Sequence, residues 1–145
     1  MAHRWHDRAF TELTIVELYA ITALRERVFV VEQNCPYLDA DGADPASRHL
    51  WATADDGAIH AYCRIVPAGV KFAEISIGRV ITAPEARGTG LGKELMRRAL
   101  DACGPVPVRI GAQAHLQKFY GELGFVVAGE PYDEDGIPHV EMLRP

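Results

Sequence analysis

The sequence predicts an α+β fold, a single domain over residues 1–145 in which a mixed, mostly antiparallel sheet is flanked by helices. Three observations predict it. Extended apolar runs outnumber helical ones. Their order is strand and helix, then several strands, then helix, strand, helix and two strands, which is not the strict alternation of a parallel α/β sheet. A glycine-rich turn, Arg87-Gly88-Thr89-Gly90-Leu91-Gly92, joins an extended run to a helical one past mid-chain. A chain of 145 residues suits one domain that buries about 70% of its unfolded surface.

Residues 3–10 read as a first strand. Thr14-Ile15-Val16-Glu17 has the form of a capping box, in which the side chains of Thr14 and Glu17 satisfy orphan N–H groups at a helix start. A helix is expected from there to about residue 30. Its apolar set, Ile15, Leu18, Ile21, Leu24, Val28 and Val31, is spaced by three or four and is expected on one side. Residues 34–47 are polar and read as a loop. Extended runs cover residues 49–54, 59–66, 74–82 and 106–112, with Asp55-Asp56-Gly57 as a hairpin signal between the first two. The glycine turn opens a helix that Cys103-Gly104-Pro105 stops. A short helix over 116–123 closes at Gly124. Strands at 125–128 and 139–143 then flank a turn, Asp133-Glu134-Asp135-Gly136-Ile137-Pro138.

Composition excludes several classes. The net charge is -5, with no lysine or arginine run, which argues against a nucleic-acid partner. No apolar stretch approaches the ~18 residues of a membrane span, and the first residues lack the apolar core of a signal peptide. Cys35, Cys63 and Cys103 are far apart and odd in number, so neither a disulfide framework nor a zinc site is expected, and a cytoplasmic setting fits. The six histidines show no metal-ligand spacing. Asp39-Ala40-Asp41-Gly42-Ala43-Asp44 faintly resembles a calcium loop, but its glycine is fourth rather than sixth and Leu50 stands where the last ligand belongs. It is read as a solvated polar loop, with its carboxylates lining the entrance for a cationic acceptor as the alternative. No metal is expected.

The glycine turn carries the functional signal. A turn from a strand into a helix offers free backbone N–H groups and the positive end of a helix dipole, and so suits a phosphate. The spacing is not Walker A, because Arg87 stands at the first glycine position and Glu94 follows Gly92-Lys93. Nor is it a dinucleotide fingerprint, because glycines at 88, 90 and 92 are one residue short in the last step. A phosphate-bearing small molecule is expected there.

The segment Val80-Ile81-Thr82-Ala83-Pro84-Glu85-Ala86-Arg87-Gly88-Thr89-Gly90-Leu91-Gly92-Lys93-Glu94-Leu95-Met96 resembles the cofactor motif of the GNAT N-acetyltransferases. Phe119-Tyr120-Gly121-Glu122-Leu123-Gly124-Phe125 resembles their second motif. Val28-Phe29-Val30-Val31-Glu32-Gln33-Asn34-Cys35-Pro36-Tyr37, Gly111-Ala112-Gln113-Ala114-His115-Leu116 and Glu134-Asp135-Gly136-Ile137-Pro138-His139 resemble the ElaA-like branch of that family. The resemblance implies an acetyl-coenzyme A-dependent N-acetyltransferase. The acceptor amine, small molecule or peptide, attacks directly in a ternary complex, without a covalent enzyme intermediate, so none of the cysteines is assigned as a nucleophile. A homodimer is common in the family.

By the same resemblance, the N–H groups of Gly88, Thr89, Gly90, Leu91, Gly92 and Lys93 receive the pyrophosphate, with Arg87 and Lys93 adding charge. The strand residues Val80, Ile81 and Thr82 splay from their neighbour and pair with the pantetheine arm. An N–H near Thr82 would polarise the thioester carbonyl, a contribution of about 3–4 kcal/mol per donor. Gln113 stands where the family often has an asparagine that touches coenzyme A. Tyr120 is the expected acid for the departing thiolate. The acceptor also needs a base, since neutralising a lysine-like amine at pH 7 costs about 4.6 kcal/mol. Glu32, where the first helix gives way to the loop, is the first candidate; His139, after Gly-Ile-Pro, is the second; Glu74 is the third. The rival reading is a non-catalytic acyl-coenzyme A binding or sensing domain, which needs the turn but neither Tyr120 nor a base.

Overall fold

The computed structural model describes residues 2–145. In chain order it contains β1 (Arg4–Ala9), α1 (Ile15–Arg25), β2 (Arg48–Thr53), β3 (Ile59–Val66), β4 (Ser76–Thr82), α2 (Leu91–Cys103), β5 (Val108–Gln113), α3 (Gln117–Gly121), β6 (Val126–Val127), β7 (Tyr132–Glu134) and β8 (Ile137–Arg144). Every strand pair within a sheet is antiparallel. One sheet runs β1-β2-β3-β4 and the other β5-β8-β6, with β7 on β8. A single parallel bridge, Ile75 to Val108, joins them, with Arg109 N–H donating to Ile75 O at 3.0 Å. This is the expected mixed, mostly antiparallel α+β arrangement. Beyond that bridge β4 and β5 share no further rung, so the sheet is split by a wedge.

The core explains the layers. Along β3, Ala61, Cys63 and Ile65 face α2, where Leu91, Leu95, Met96 and Ala99 are buried with Val108, Ile110, Val140 and Met142. Tyr62, on the opposite face, packs with Trp51 and Ile81 against Ile21, Leu24 and Val28 of the first helix. A strand buried on both faces reads as a largely apolar run, and β3 does so except at His60 and Arg64, both buried. In β4 the pairing steps from Tyr62↔Ile81 to Arg64↔Gly78, so Arg79 and Val80 together oppose one residue of β3. Arg79 takes a left-handed backbone there (φ 50°). Such a bulge kinks the strand and re-aims side chains.

Two expectations need correction. The first helix starts with the capping box, Glu17 N–H donating to Thr14 Oγ1 at 3.0 Å and Thr14 N–H to Glu17 Oε1 at 2.9 Å. But α-helix ends at Arg25, and residues 26–32 form a wider π-helical turn. Its apolar set is not on one side: Ile21, Leu24 and Val28 are buried, whereas Ile15 and Val31 are exposed. Steps of three residues fall about 60° short of a full turn, so the run 15, 18, 21, 24 rotates around the helix. The widened turn displaces Val31 again. The other correction is the turn at 133–138, which is tighter than its composition suggests. Only Asp135 (φ 53°) and Gly136 (φ 81°) form it, the left-handed pair of a two-residue hairpin. Glu134↔Ile137, Asp133↔Pro138 and Tyr132↔His139 are already strand rungs.

Candidate functional site

The glycine turn is built from backbone. After a tight turn at Pro84–Ala86 the chain passes Gly88 (φ 79°) and Gly90 (φ 83°), both left-handed, and Gly90 caps α2 without any side-chain hydrogen bond. Thr89 Oγ1 donates to Ala86 O at 2.7 Å and stiffens the bend. The first helical N–H to find a carbonyl is that of Glu94, on Gly90 O at 3.2 Å. The N–H groups from 88 to 93 meet no acceptor among the described residues. A Cβ on Gly92 would stand 3.1 Å from Thr82 Oγ1, so this glycine lets the helix start close to the end of β4.

The two cations expected at the turn are already paired. Arg87 grips Glu32 through both nitrogens at 2.7 Å and donates from Nε to Thr82 O at 3.1 Å. Lys93 meets Glu122 at 2.9 Å. The Arg87 guanidinium holds the Glu32 carboxyl below its ordinary range. Glu32 is therefore a carboxylate fixed beside the turn, and it does not line the cleft described next. Glu74 is likewise engaged, by Arg109 at 3.0 and 3.1 Å.

The wedge between β4 and β5 opens into a cleft of about 370 Å³. Val80 stands in one wall, Gly111 and Gln113 of β5 in the other, and Tyr120 and His139 close its end. Tyr120 is 6% exposed and is held edge-on between Phe119 and Phe125 (ring centroids 5.1 and 5.9 Å). Burial pushes its phenol pKa well up, so the hydroxyl keeps its proton at neutral pH. His139 lies opposite Gln113 in the β5–β8 register. Its Nδ1 is 2.7 Å from Ile137 O. A carbonyl only accepts, so Nδ1 carries a hydrogen, and in a neutral imidazole the lone pair is then on Nε2. Nε2 lies 3.3 Å from Glu134, where a captured proton would find an acceptor.

The ring of Tyr132 stacks on His139 at 5.7 Å, and its hydroxyl reaches under Gly111, where a Cβ would come within 2.8 Å of it. Gln113 shares two long hydrogen bonds with Gln33, both 3.4 Å. Tyr132, Glu134 and Gln33 were not singled out from sequence. The signal for the first two lay in a hairpin centred on Asp-Gly, which makes Tyr132 and His139 cross-strand neighbours.

A buried charge cluster forms the far wall. Arg25 contacts Asp39 and Asp44, each at 2.7 Å. Arg64 contacts Asp41 at 2.6 Å and Asp44 at 3.0 Å. Arg79, aimed by the bulge, reaches Asp39 at 2.8 Å and Asp41 at 3.3 Å, and Lys71 reaches Asp41 at 2.8 Å. Burial alone would raise the Asp41 carboxyl, but hydrogen bonds from Arg64 and Lys71 more than offset it and hold it well below the usual range. The backbone of the loop is exposed at residues 40–42, but its carboxylates do not form an open acidic entrance, because each is paired. Its carboxylates are neutralised from within.

Comparison with known proteins accords with this geometry. Residues 37–144 match the Acetyltransferase (GNAT) domain. The protein ElaA of Escherichia coli is 44% identical over 146 residues, covering 97% of this chain and 95% of that protein. The crystal structure of Escherichia coli ElaA superposes with a TM-score of 0.92 at 43% identity, over 99% of this chain and 100% of that one. An acyl-CoA N-acyltransferase from Pseudomonas aeruginosa superposes with a TM-score of 0.94 at 45% identity, over 99% and 100%. Acyl transfer is the general chemistry this relationship supports. The wedge, the glycine turn and the motif tyrosine sit on a chain that belongs to the GNAT acetyltransferase family, on its ElaA-like branch.

Proposed function

We propose that this protein moves an acetyl group from acetyl-coenzyme A to an amine by direct attack within a ternary complex. The observation that carries the reading is the Tyr120 hydroxyl: protonated, enclosed by two phenylalanines, and facing the same cleft as the free edge of β4. In this reading, the N–H groups of Gly88, Thr89, Gly90, Leu91, Gly92 and Lys93 hold the pyrophosphate. Val80, Ile81 and Thr82 pair with the pantetheine arm along the split edge. Gln113 touches the arm from β5. The Arg87–Glu32 and Lys93–Glu122 pairs rim the turn, and their partners lower the charge that either cation offers.

Tyr120 donates its proton as the carbon–sulfur bond breaks. Burial disfavours the phenolate, but it disfavours the departing thiolate in the same cleft as well. If burial acts on both alike, the ordinary gap of about 1.5 pKa units remains, so donation taken alone is uphill by about 2 kcal/mol and is drawn forward by concert with carbon–sulfur cleavage. For the base, the geometry supports His139 over Glu32. His139 lines the cleft with its Nε2 3.3 Å from Glu134, a carboxylate that can take up a captured proton. Glu32 is locked to Arg87 and pushed toward the weakly basic end of its range. The P. aeruginosa relative bears the description acyl-CoA N-acyltransferase, which supports an acyl-coenzyme A donor and a nitrogen acceptor.

The test is release of free coenzyme A thiol from acetyl-coenzyme A across a panel of amines, with the acetylated product identified by mass. Amine-dependent release with a matching N-acetyl product is expected. Tight acetyl-coenzyme A binding without release by any amine would instead favour the sensing domain.

A further inference from the structure

Two electrically different sets of side chains line the cleft from different elements. Tyr120 of α3 stands with His139 and Glu134 of the β7–β8 hairpin. Arg64 of β3 and Arg79 of β4 stand with Lys71 from the loop between those strands, and Asp41 is already held by all three. In the cluster behind them Arg25, Arg64 and Arg79 balance Asp39, Asp41 and Asp44, and the fourth cation, Lys71, is half-exposed at the cleft with no carboxylate of its own. Lys71 therefore leaves a net positive charge at this part of the cleft that an anion can pair with.

A second observation points the same way. Arg64 is 2% exposed, and its Nε is a buried side-chain nitrogen with no hydrogen-bond partner among the described residues. A buried donor without an acceptor is rare in folded proteins. Its cross-strand neighbour is Gly78, where a Cβ would stand 3.9 Å from that nitrogen. With glycine there, no side chain comes between Arg64 and the cleft that both residues line. The Ser76 hydroxyl stands in the same wall, and Lys71 is bonded to one carboxylate only, leaving ammonium hydrogens free.

We infer that the acceptor is a small amine that also carries a carboxylate, an amino-acid-like molecule. Its carboxylate sits beside Arg64, Lys71 and Arg79 and its amine beside Tyr120 and His139. The carboxylate would pair with Lys71 and bring an acceptor to the region of the unpaired Nε. The ammonium form of the amine would be drawn toward Glu134 before it loses its proton. A volume of about 370 Å³ suits a small molecule beside the acetyl end of the arm. This inference rests on the transferase reading above.

The experiment uses matched sets: free L-amino acids, their carboxamides, and the corresponding amines lacking the carboxyl group. Two readouts are taken on the whole protein. One is thiol release from acetyl-coenzyme A. The other is calorimetric binding of the same compounds to protein saturated with coenzyme A, which needs no turnover. The acids are expected to exceed their carboxamides by about tenfold or more in kcat/KM and in affinity, the scale of one charge-assisted hydrogen bond. In Lys71→Met, a change at a half-exposed side chain that leaves Arg64 in place, that ratio should fall toward one. Carboxamides or plain amines that match the acids in both readouts would overturn the inference and leave the transferase standing. Acid-selective binding with no release from any set would overturn the transferase reading and support the carboxylate site. A ratio unchanged in Lys71→Met would remove Lys71 from that site and count against the inference.

Discussion

Arg25 meets Asp44 at 2.7 Å, and Arg87 meets Glu32 at 2.7 Å. The side chains of the first pair are 5% and 16% exposed, those of the second 45% and 40%. Geometry alone would rank them equal, but their surroundings do not. Water screens the Arg87–Glu32 pair and competes for both groups, so it contributes ~0–1 kcal/mol. Behind β3 and β4, charges have left water, and each depends on its partner. Removing one of them exposes the desolvation penalty of the others. The exposed pairs beside the glycine turn should therefore tolerate changes in their side-chain charges, whereas the cluster is a fixed electrostatic frame for one wall of the cleft.

The largest effect expected from this contrast is at Arg64. Arg64→Ala leaves Asp41 and Asp44 without a main partner and should lower stability by about 3–5 kcal/mol, read by urea unfolding. A loss under 1 kcal/mol would show that water enters the cluster freely. Next comes Asp41→Asn, which should be destabilising at neutral pH. Because the folded-state pKa of Asp41 is depressed, its contribution is present above the unfolded value near 4. It fades only as pH falls through the lower folded value. The gap in melting temperature between native and variant should thus hold flat from about pH 8 to pH 5 and narrow in strong acid. A gap that widened on acidification would reverse the sign of the assignment.

At the turn the effects shrink and change kind. Gly90→Ala forces a left-handed residue to carry a Cβ and should cost about 1 kcal/mol of stability, together with weaker acetyl-coenzyme A binding. Unchanged affinity would detach the turn from the cofactor. Smallest of all is Glu32→Gln, expected within about 0.5 kcal/mol of native stability. It should also keep the native pH–rate profile if His139 is the base. Loss of the acidic limb in that variant, the limb a titrating base produces, would restore Glu32 to the role its sequence position suggested.

The same contrast explains what could be read from the chain itself. The glycine turn, the capping box and the Phe119–Phe125 segment are local: their signals lie within a few residues, where glycine spacing and helix caps act directly on the backbone. The cluster joins loop aspartates to arginines 14 to 40 residues away, beyond the reach of spacing rules. A signal was nonetheless present. Arg64 stands inside the run Tyr62-Cys63-Arg64-Ile65-Val66, and Arg79 inside Ile77-Gly78-Arg79-Val80-Ile81. An arginine within an apolar strand needs a buried partner, and the chain offers one dense group of carboxylates upstream, at 39, 41 and 44. The π-helical turn after Arg25 and the bulge at Arg79 left no such mark, because both are set by packing rather than by a distinctive residue.

The central claim is that Tyr120 supplies the proton to the leaving thiolate. The most direct test compares native protein and Tyr120→Phe for kcat and for acetyl-coenzyme A affinity, using an amine that supports turnover. The account predicts a drop in kcat of about a hundredfold or more, with affinity and melting temperature near native. Equal kcat in the two proteins would contradict it and leave Tyr120 as a packing residue of the cleft.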